Sequence, residues 1–324
     1  MAYPMDLLLR TFGTLCSPAG AGARLSILIY HRVLPVVDPL TPDVVDAARF
    51  ESQMRLLSCL FNLLPLSEAV RRLKSGTLPA RAACVTFDDG YADNAEVAFP
   101  ILKRHAVPAT FFIATGYLNG GIMFNDKVIE TVRRISSEEM EFPGIGVFRL
   151  SGMQEKRDAI RQLLSFLKYR SVSERQDFMD RIIDSEKIVL PADLMMRSDQ
   201  VRMLAAEGME IGGHTINHPI LSGLDLQSAR DEIAGGRVVL EEMTESPVRT
   251  FAYPNGIPGR DYRGEHARLV AEMGFEAAVS TAKGVARQGS DVFQLPRFTP
   301  WDIPLSRFSI RLAGNLLQSK ILTA

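Results

Sequence analysis

The stretch ACVTFDDGYADN, residues 83–94, decides how the rest of the chain is interpreted. An apolar, β-forming run, 84–87, stops abruptly at two adjacent acids, Asp88 and Asp89, followed by Gly90. Adjacent carboxylates repel each other, and the repulsion costs most where the preceding strand is buried. Asp-Gly is also a common turn dipeptide. Two interpretations therefore stay open: a simple turn, or a site where a metal takes one acid and the chemistry uses the other.

The bulk composition is that of a globular α/β protein. The 324 residues are 46% hydrophobic and 23% charged, with a net charge of −1. This length fits one large domain or two small ones, and the charge balance predicts no nucleic-acid partner. The three cysteines form no Cys-x-x-Cys pair and no disulfide framework, which favours a reducing compartment.

Short apolar runs alternate with longer helical patterns along the chain. The runs predict seven strands, at 25–30, 82–87, 108–113, 208–213, 249–253, 275–280 and 292–298. Helical patterns lie between them, for example at 92–105, 226–243 and 265–275. The alternation predicts an α/β fold with a parallel sheet, either doubly wound or closed into a barrel.

The spacing of these elements also predicts the domain organisation. Residues 119–200 separate the third and fourth strands and carry charged helical patterns, which predicts a helical insertion on the rim of one domain spanning 25–303. A lead-in over 1–24 precedes this domain. A C-terminal amphipathic helix over 304–324 follows it, and either packs on the barrel or lies on a membrane surface.

The sequence shows no export or membrane-spanning signal. The apolar stretch near the N-terminus has no basic segment before it, and no run of 18 apolar residues occurs. We therefore expect a cytoplasmic protein, or one bound peripherally at the inner face of the membrane.

Polar side chains follow the predicted strands at their carboxyl ends. They are His31 after the first strand, Asp88 and Asp89 after the second, His214 and His218 after the fourth, Asn255 after the fifth, and Arg297 closing the seventh. In a parallel barrel these ends face one rim, where active sites lie. We therefore expect these residues to form one site.

His214 and His218 have a spacing that suits a metal. Four positions apart, they would lie on the same side of a helical turn. With a carboxylate from another strand end they form a two-His, one-carboxylate set that leaves coordination positions open. Asp88 or Asp89 could supply that carboxylate, leaving the other acid as a base. Zinc suits this set best, and cobalt, nickel or manganese would also bind it.

The motifs TFDDG (86–90) and HTINH (214–218) resemble the first two motifs of the polysaccharide deacetylase family, the NodB-homology group of carbohydrate esterases. FAYPNG (251–256) is similar to the third motif. ILIYHRV (27–33) and PATFFIATGYL (108–118) resemble a branch of the family in which the Tyr-His segment comes first. The resemblance covers most of 25–300 and implies a distorted (β/α)7 barrel, in agreement with the seven predicted strands.

The resemblance also implies catalytic roles. Asp88 would be the catalytic base and His31 the general acid. Asp89, His214 and His218 would hold the metal, with Thr215 supporting them.

Two positions depart from the family pattern. Asn255 stands where the family often has Tyr, and its backbone N–H would stabilise the oxyanion. Ala252 replaces the Arg that usually orients the base, and we expect Arg297 to take over that role. The family's tryptophan-bearing fourth motif is not recognisable. The expected substrate contacts are Tyr253, Pro254 and Trp301, and Trp301 either lines the sugar groove or packs.

The resemblance implies a metal-dependent hydrolase that removes N-acetyl groups from N-acetylhexosamine units of a polysaccharide, oligosaccharide or glycolipid. Two alternatives stay open: another metal-dependent amide hydrolase, such as a deformylase or imidase, and a catalytically silent sugar-binding protein. The presence of Asp88 favours an enzyme, because a binding protein needs no base beside its metal.

Overall fold

The computed structural model describes residues 4–318 and 320–324. The first three residues of the expected lead-in, and residue 319 of the C-terminal segment, lie outside the described part.

Within the described part, the strands are Arg24–Tyr30 (β1), Asn62–Leu63 (β2), Ala82–Phe87 (β3), Ala109–Ile113 (β4), Glu139–Phe142 (β5), Gly146–Arg149 (β6), Glu210–Gly213 (β7), Thr250–Ala252 (β8), Ala277–Val279 (β9) and Ala286–Arg287 (β10). The α-helices are Pro4–Cys16 (α1), Ala47–Leu60 (α2), Leu66–Ser75 (α3), Phe99–Arg104 (α4), Phe124–Arg134 (α5), Met153–Leu167 (α6), Val172–Glu186 (α7), Ser198–Ala206 (α8), Leu226–Thr244 (α9), Gly264–Glu272 (α10) and Leu305–Asn315 (α11). A π-helical turn, Asn94–Ala98, leads into α4.

The main sheet is built from six parallel neighbours in the order β1-β3-β4-β7-β8-β9. β10 pairs antiparallel with β1 on its free side, and β2 pairs with the start of β3. Because the six strands are parallel, their carboxyl ends lie at one edge of the sheet. These six strands and the predicted α/β class are confirmed.

The seventh predicted strand, 292–298, is not a continuous strand. It forms single parallel bridges, from Leu295 to Val279 on β9 and from Phe298 to Leu28 on β1. The backbone N–H of Phe298 donates to the carbonyl of Ile27 at 2.7 Å. Pro296 has no N–H to donate, so a regular ladder cannot run through this segment. We call 292–298 the closing segment, because it joins β9 to β1, the first and last of the six parallel strands, and curls the sheet towards a barrel.

Strand alternation divides the buried side chains of β3 between two apolar clusters. Val85 and Phe87 pack in the large cluster that includes residues of the surrounding helices, whereas Cys84 belongs to a smaller cluster on the opposite face. The large cluster is centred on aromatic rings. The ring of Phe87 lies 4.8 Å from that of Phe111 and 5.7 Å from that of Phe50. This packing holds the carboxyl end of β3 in place.

The insertion between β4 and β7 has its own apolar cluster, to which Val132, Phe142, Leu163 and Met179 contribute. Its expected charged helices are present as α6 and α7, and α5 precedes them. The sequence interpretation missed the hairpin of β5 and β6. Its turn, 143–145, begins with a Pro-Gly dipeptide, a turn signal that was available in the sequence. The proposed domain boundaries stay predictions.

The C-terminal helix packs on the barrel. Phe308 and Leu312 of α11 are buried in the large cluster, whereas Ile310 is exposed. At the other end of the chain, α1 exposes Leu8 and Leu15. Within the described residues, no helix has the length and apolar character needed to span a bilayer. Peripheral membrane contact stays a prediction.

The aromatic packing around β3 predicts a large cost for Phe87→Ala. We expect the free energy of unfolding to fall by about 3–5 kcal/mol, because the substitution leaves a cavity in the core. Urea denaturation measures this change. Val189→Ala is the control, since Val189 is 83% exposed, and it should change the value by less than about 0.5 kcal/mol. Equal effects of the two variants would contradict this account of the core.

Candidate metal and catalytic site

Strand alternation continues past the end of β3 and sets the direction of Asp88. In a strand, every second side chain shares a face, so Asp88 follows Cys84 and Thr86. Arg297 of the closing segment reaches the same place. Its two terminal nitrogens donate to the two carboxylate oxygens of Asp88, each at 2.7 Å, and both residues are buried. The structure therefore brings Arg297 to the acid that it was expected to orient.

Arg297 is itself held by the sheet. Its Nε donates to the carbonyl of Ser280 at 2.9 Å, and one terminal nitrogen lies 3.3 Å from Oγ1 of Thr86. A bidentate guanidinium–carboxylate pair fixes both distance and orientation. Burial by itself raises the pKa of Asp88, but Arg297, with His214 and then His31, outweighs burial and holds the pKa below its ordinary value. The carboxylate therefore stays ionised.

Asp89 turns away from its neighbour because the backbone enters the left-handed region. Its φ is 79°, and that of Gly90 is 91°. The turn carries the Asp89 carboxylate to the two histidines, where Oδ1 lies 3.3 Å from Nε2 of His214 and 3.3 Å from Nε2 of His218. The adjacent acids thus have separate partners.

The two histidines lie on a loop and not on a helical turn, so that part of the prediction is wrong. Thr215 and His218 have φ values of 66° and 51°. The hydroxyl of Thr215 accepts a hydrogen bond from the backbone N–H of His218 at 3.0 Å. The rings of His214 and His218 meet with their centroids 4.8 Å apart. The hydrogen bond between His218 and Thr215, and not helical spacing, therefore brings the two imidazole rings together.

Helix α9 supports this loop from behind. The carboxylate of Glu232 accepts hydrogen bonds from the backbone N–H groups of Ile216 and Asn217, at 3.0 and 2.8 Å. Gly236 lies against the backbone of Thr215, where a β-carbon would come within 2.8 Å of the Thr215 carbonyl oxygen. The helix can approach so closely only because this position lacks a side chain.

The three candidate ligands fit a cation. Nδ1 of His214 donates to the carbonyl of Ala252 at 2.7 Å, so its Nε2 carries the lone pair that faces Asp89. Oδ1 of Asp89 is buried and has no hydrogen-bond partner among the described residues. One donor atom from each of Asp89, His214 and His218 lies within 4.8 Å of the others. The lone pairs of these three atoms point towards one place, and no proton lies between them. A divalent metal binds to such a set of donor atoms.

The electrostatics agree with this fit. Burial lowers the pKa of His218 to about 4, so its ring is neutral and able to bind a metal near pH 7. For His214, burial lowers the pKa, but Asp89 and Asp88 outweigh it and raise the pKa above the ordinary value. A proton on His214 and a metal ion would therefore serve the same purpose, which is to neutralise the buried carboxylates.

His31 and Trp301 line a cavity of about 520 Å³ at the rim, as expected from the strand ends. The backbone carbonyl of His31 accepts a hydrogen bond from the side chain of Asn94 at 2.7 Å. Burial raises the pKa values of Asp88 and Asp89, and His31 is among the neighbours that lower them below their ordinary values, after Arg297 for Asp88 and after the two other histidines for Asp89. Trp301 is 61% exposed, so its side chain is available for stacking.

Asn255 lines a second cavity, of about 380 Å³, together with His218. We call this the insertion cleft, because its other side is formed by residues of the insertion that include Phe124, Lys168 and Arg175. Asn255 has a φ of 57°, and no described residue accepts a hydrogen bond from its backbone N–H. That donor is free for a ligand.

Two of the expected substrate contacts are corrected. Tyr253 is only 1% exposed, its ring stacks on that of Tyr262 at 3.8 Å, and its hydroxyl donates to the carbonyl of Phe293. Pro254 is also buried. Tyr253 is part of the large apolar cluster, and neither side chain is exposed to a substrate.

The sequence interpretation missed a buried polar cluster beside the site. Arg32 contacts Asp93 at 2.8 Å and Asp126 at 3.4 Å, and the hydroxyl of Tyr91 donates to Asp126 at 2.7 Å. The cluster ties helix α5 of the insertion to the segments that follow β1 and Asp89. Asp93 lies within the opening stretch and could have been noticed. Asp126 could not, because only the fold brings it there.

Comparison with known proteins identifies the class. The family model for polysaccharide deacetylases matches residues 75–144 and 152–278, and the chain belongs to that family. The protein YxkH of Bacillus subtilis, named for the same family, is 22% identical over 277 residues, which cover 85% of this chain and 71% of that protein. A poly-β-1,6-N-acetyl-D-glucosamine N-deacetylase of Staphylococcus aureus is 33% identical over 105 residues, which cover 32% of this chain and 35% of its own length.

Solved structures agree on the fold. The deacetylase PplD of Streptococcus pyogenes superimposes with a TM-score of 0.61 at 19% identity, over 91% of this chain and 99% of that one. IcaB of Ammonifex degensii gives 0.56 at 19% identity, over 93% and 99%. The NodB-type fold and the family resemblance are confirmed. So is the predicted enzyme class, a hydrolase of carbon–nitrogen bonds other than peptide bonds.

The contact between α9 and the histidine loop predicts that Gly236→Ala weakens metal binding. The new β-carbon would meet backbone atoms of Thr215, so the loop must shift. We expect the affinity for zinc to fall about 10- to 100-fold, as for the loss of other groups that orient metal ligands. Competition with a chelating dye measures it.

Gly235→Ala is the matched control. Its β-carbon would meet no backbone atom but only the side chain of Ile216, whose terminal carbon, at 2.5 Å, can rotate away. Both substitutions favour the helix equally, by about 1 kcal/mol. Equal zinc affinity in the two variants would contradict the proposed role of the Gly236 contact.

The polar cluster predicts a pH dependence of stability. Burial raises the pKa of Asp126 to about 6, despite the opposing effect of Arg32. The folded protein therefore binds this proton more tightly than the unfolded chain does. The stabilisation is complete below the pKa of the unfolded chain, near 4, and it is lost as the pH rises through about 6. The loss in the free energy of unfolding is about 3 kcal/mol.

Asp126→Asn should remove this contribution. The difference in unfolding free energy between the wild type and the variant should fall as the pH rises from about 4 to 7, because only the wild type has a carboxyl there. Urea denaturation at several pH values gives the difference. Asp180→Asn, at an ion-paired carboxyl that is 55% exposed, is the surface control for the loss of one carboxylate. A difference for Asp126→Asn that stays constant over this pH range would contradict a raised pKa of its carboxyl.

Proposed function

We propose that the chain is a metal-dependent N-deacetylase that removes acetyl groups from N-acetylhexosamine units of a glycan or glycolipid. One observation carries the proposal: two adjacent buried carboxylates have different partners. Asp88 is paired with Arg297, and Asp89 faces two histidine nitrogens. A base and a metal ligand are thereby kept apart on neighbouring residues, as hydrolysis by an activated water requires.

Asp89, His214 and His218 would hold the metal. This mixed nitrogen and carboxylate set suits zinc, and cobalt, nickel or manganese are the alternatives. When bound, a divalent metal polarises a carbonyl and lowers the pKa of a water to about 7.

The residues of the chain have separate tasks in the reaction. Asp88, kept ionised by Arg297, takes the proton of the attacking water. The backbone N–H of Asn255 donates to the amide oxygen as negative charge develops on it, and one such donor is worth about 100- to 1000-fold in rate. His31, in its protonated form, then gives a proton to the leaving amine. The products are acetate and a free amine.

The substrate assignment rests on the site and on the relatives. The exposed ring of Trp301, near His31, suits stacking against a sugar face. The staphylococcal relative is named for poly-β-1,6-N-acetyl-D-glucosamine, so oligomers of that polymer belong among the first substrates to test.

Acetate release from a panel of N-acetylglucosamine oligomers, including the β-1,6-linked form, tests the proposal. The zinc-loaded wild type should release acetate, and Asp88→Asn should lose about 100- to 10,000-fold in kcat, the range that general-base catalysis supplies. Zinc content, measured by atomic absorption, should be unchanged, since the base is not a ligand. Asp231→Asn on the outer surface is the control.

Other outcomes point to the alternatives. Release of formate in place of acetate from formylated analogues would favour a different amide hydrolase. A wild type that holds zinc and binds the oligomers without releasing any product would support the sugar-binding interpretation and overturn the proposed activity.

A further inference from the structure

The insertion cleft contains two cations that the mechanism does not use. Lys168, at the end of α6, and Arg175, in the first turns of α7, line the same cavity as His218 and Asn255. Both side chains are partly buried. The cleft thus begins at the candidate metal site and ends at two positive charges.

These cations lack the ion-pair partners that several other basic residues of the insertion have. Lys127 pairs with Asp180, Arg133 with Asp38, and Arg161 with Asp158. In contrast, no acidic side chain of the described chain forms an ion pair with Lys168 or Arg175, and none lines the cleft. The Nε of Arg175 is buried and has no hydrogen-bond partner there.

The surroundings hold Arg175 in place without neutralising it. Its guanidinium lies 4.7 Å from the centre of the Phe124 ring, a contact that orients the group but leaves its hydrogen-bond donors free. Burial lowers the pKa of Arg175, and no carboxylate offsets this effect. Keeping a partly buried cation without a partner costs stability, and a bound anion would remove that cost.

We propose that the insertion cleft binds an anionic group of the substrate, a carboxylate or a phosphate, through Lys168 and Arg175. This inference rests on the proposed deacetylase function and makes it more specific: the N-acetylated sugar would belong to an acidic glycan or a phosphorylated glycolipid. Arg175 offers the planar fork that matches either anion, and Lys168 adds a second charge. A cavity of about 380 Å³ is within the range of small-ligand sites.

Kinetics with matched substrates test the inference. Three oligosaccharides of equal length would be compared: neutral N-acetylglucosamine, N-acetylglucosamine alternating with glucuronate, and N-acetylglucosamine with a phosphate at its reducing end. The wild type should prefer at least one anionic form. Lys168→Gln and Arg175→Gln should each reduce kcat/KM for that form about 10- to 100-fold, mainly through KM, because each removes a charged hydrogen bond. The preferred form distinguishes carboxylate from phosphate.

The controls separate a binding role from a structural one. Kinetics on the neutral oligomer should change by less than about twofold in both variants. Arg149→Gln removes an equal charge from the exposed hairpin of the insertion and should leave all three substrates unaffected. Melting temperatures of the variants show whether the insertion stays folded. If Arg175→Gln loosens the contact with Phe124 and destabilises the insertion, Lys168→Gln still tests the binding role.

Binding measured by calorimetry distinguishes failure of this inference from failure of the proposed function. Tight binding of an anionic oligomer that is lost in Arg175→Gln supports the cleft even when no acetate is released. Acetate release with no preference for anionic over neutral oligomers, or equal losses on both in the variants, would overturn the anionic subsite while leaving the deacetylase intact.

Discussion

Two neighbouring carboxylates cannot both remain charged in a protein interior unless each has its own positive partner. This constraint governs the site at the end of β3. The guanidinium of Arg297 donates hydrogen bonds to both carboxylate oxygens of Asp88 and balances its charge. Asp89 faces two imidazoles and keeps one oxygen without a hydrogen bond among the described residues. The surrounding fold supplies these partners from two distant places in the sequence, the loop at 214–218 and the closing segment.

The backbone makes the separation possible. Strand alternation sends Asp88 towards Thr86 and Arg297, and the left-handed φ of Asp89 then turns the next side chain towards the histidines. Thr215, His218 and Asn255 also have positive φ values, which are uncommon for residues with a β-carbon. Such conformations cost energy and persist where neighbouring structure imposes them. Four of the nine such residues in the described chain, Asp89 among them, thus lie where the polar side chains must converge.

The sequence allowed prediction of the parallel sheet and of the residues at its carboxyl edge, because buried strands and their polar ends leave a local pattern. It could not predict how His214 and His218 meet, since a spacing of four also describes a loop held by Thr215. Nor could it place Asp126, which reaches Arg32 only through the insertion. Tyr253 was misassigned because a motif position does not reveal which face of the chain is buried. The local sequence pattern thus predicts the helices and strands, whereas packing between distant parts of the chain determines which side chains come into contact.

The closing segment links the shape of the sheet to its chemistry. Asp88 and Arg297 are separated by 209 positions in the chain, and the same segment hydrogen-bonds to β1 at Ile27. Contacts between such distant residues form late, because a long loop must be ordered first. On the ribosome, the strands that carry the acid and the histidines therefore emerge before the guanidinium that organises them. In the proposed mechanism, the candidate metal ligands are therefore synthesised before Arg297, and Asp88 is oriented only once the closing segment has docked.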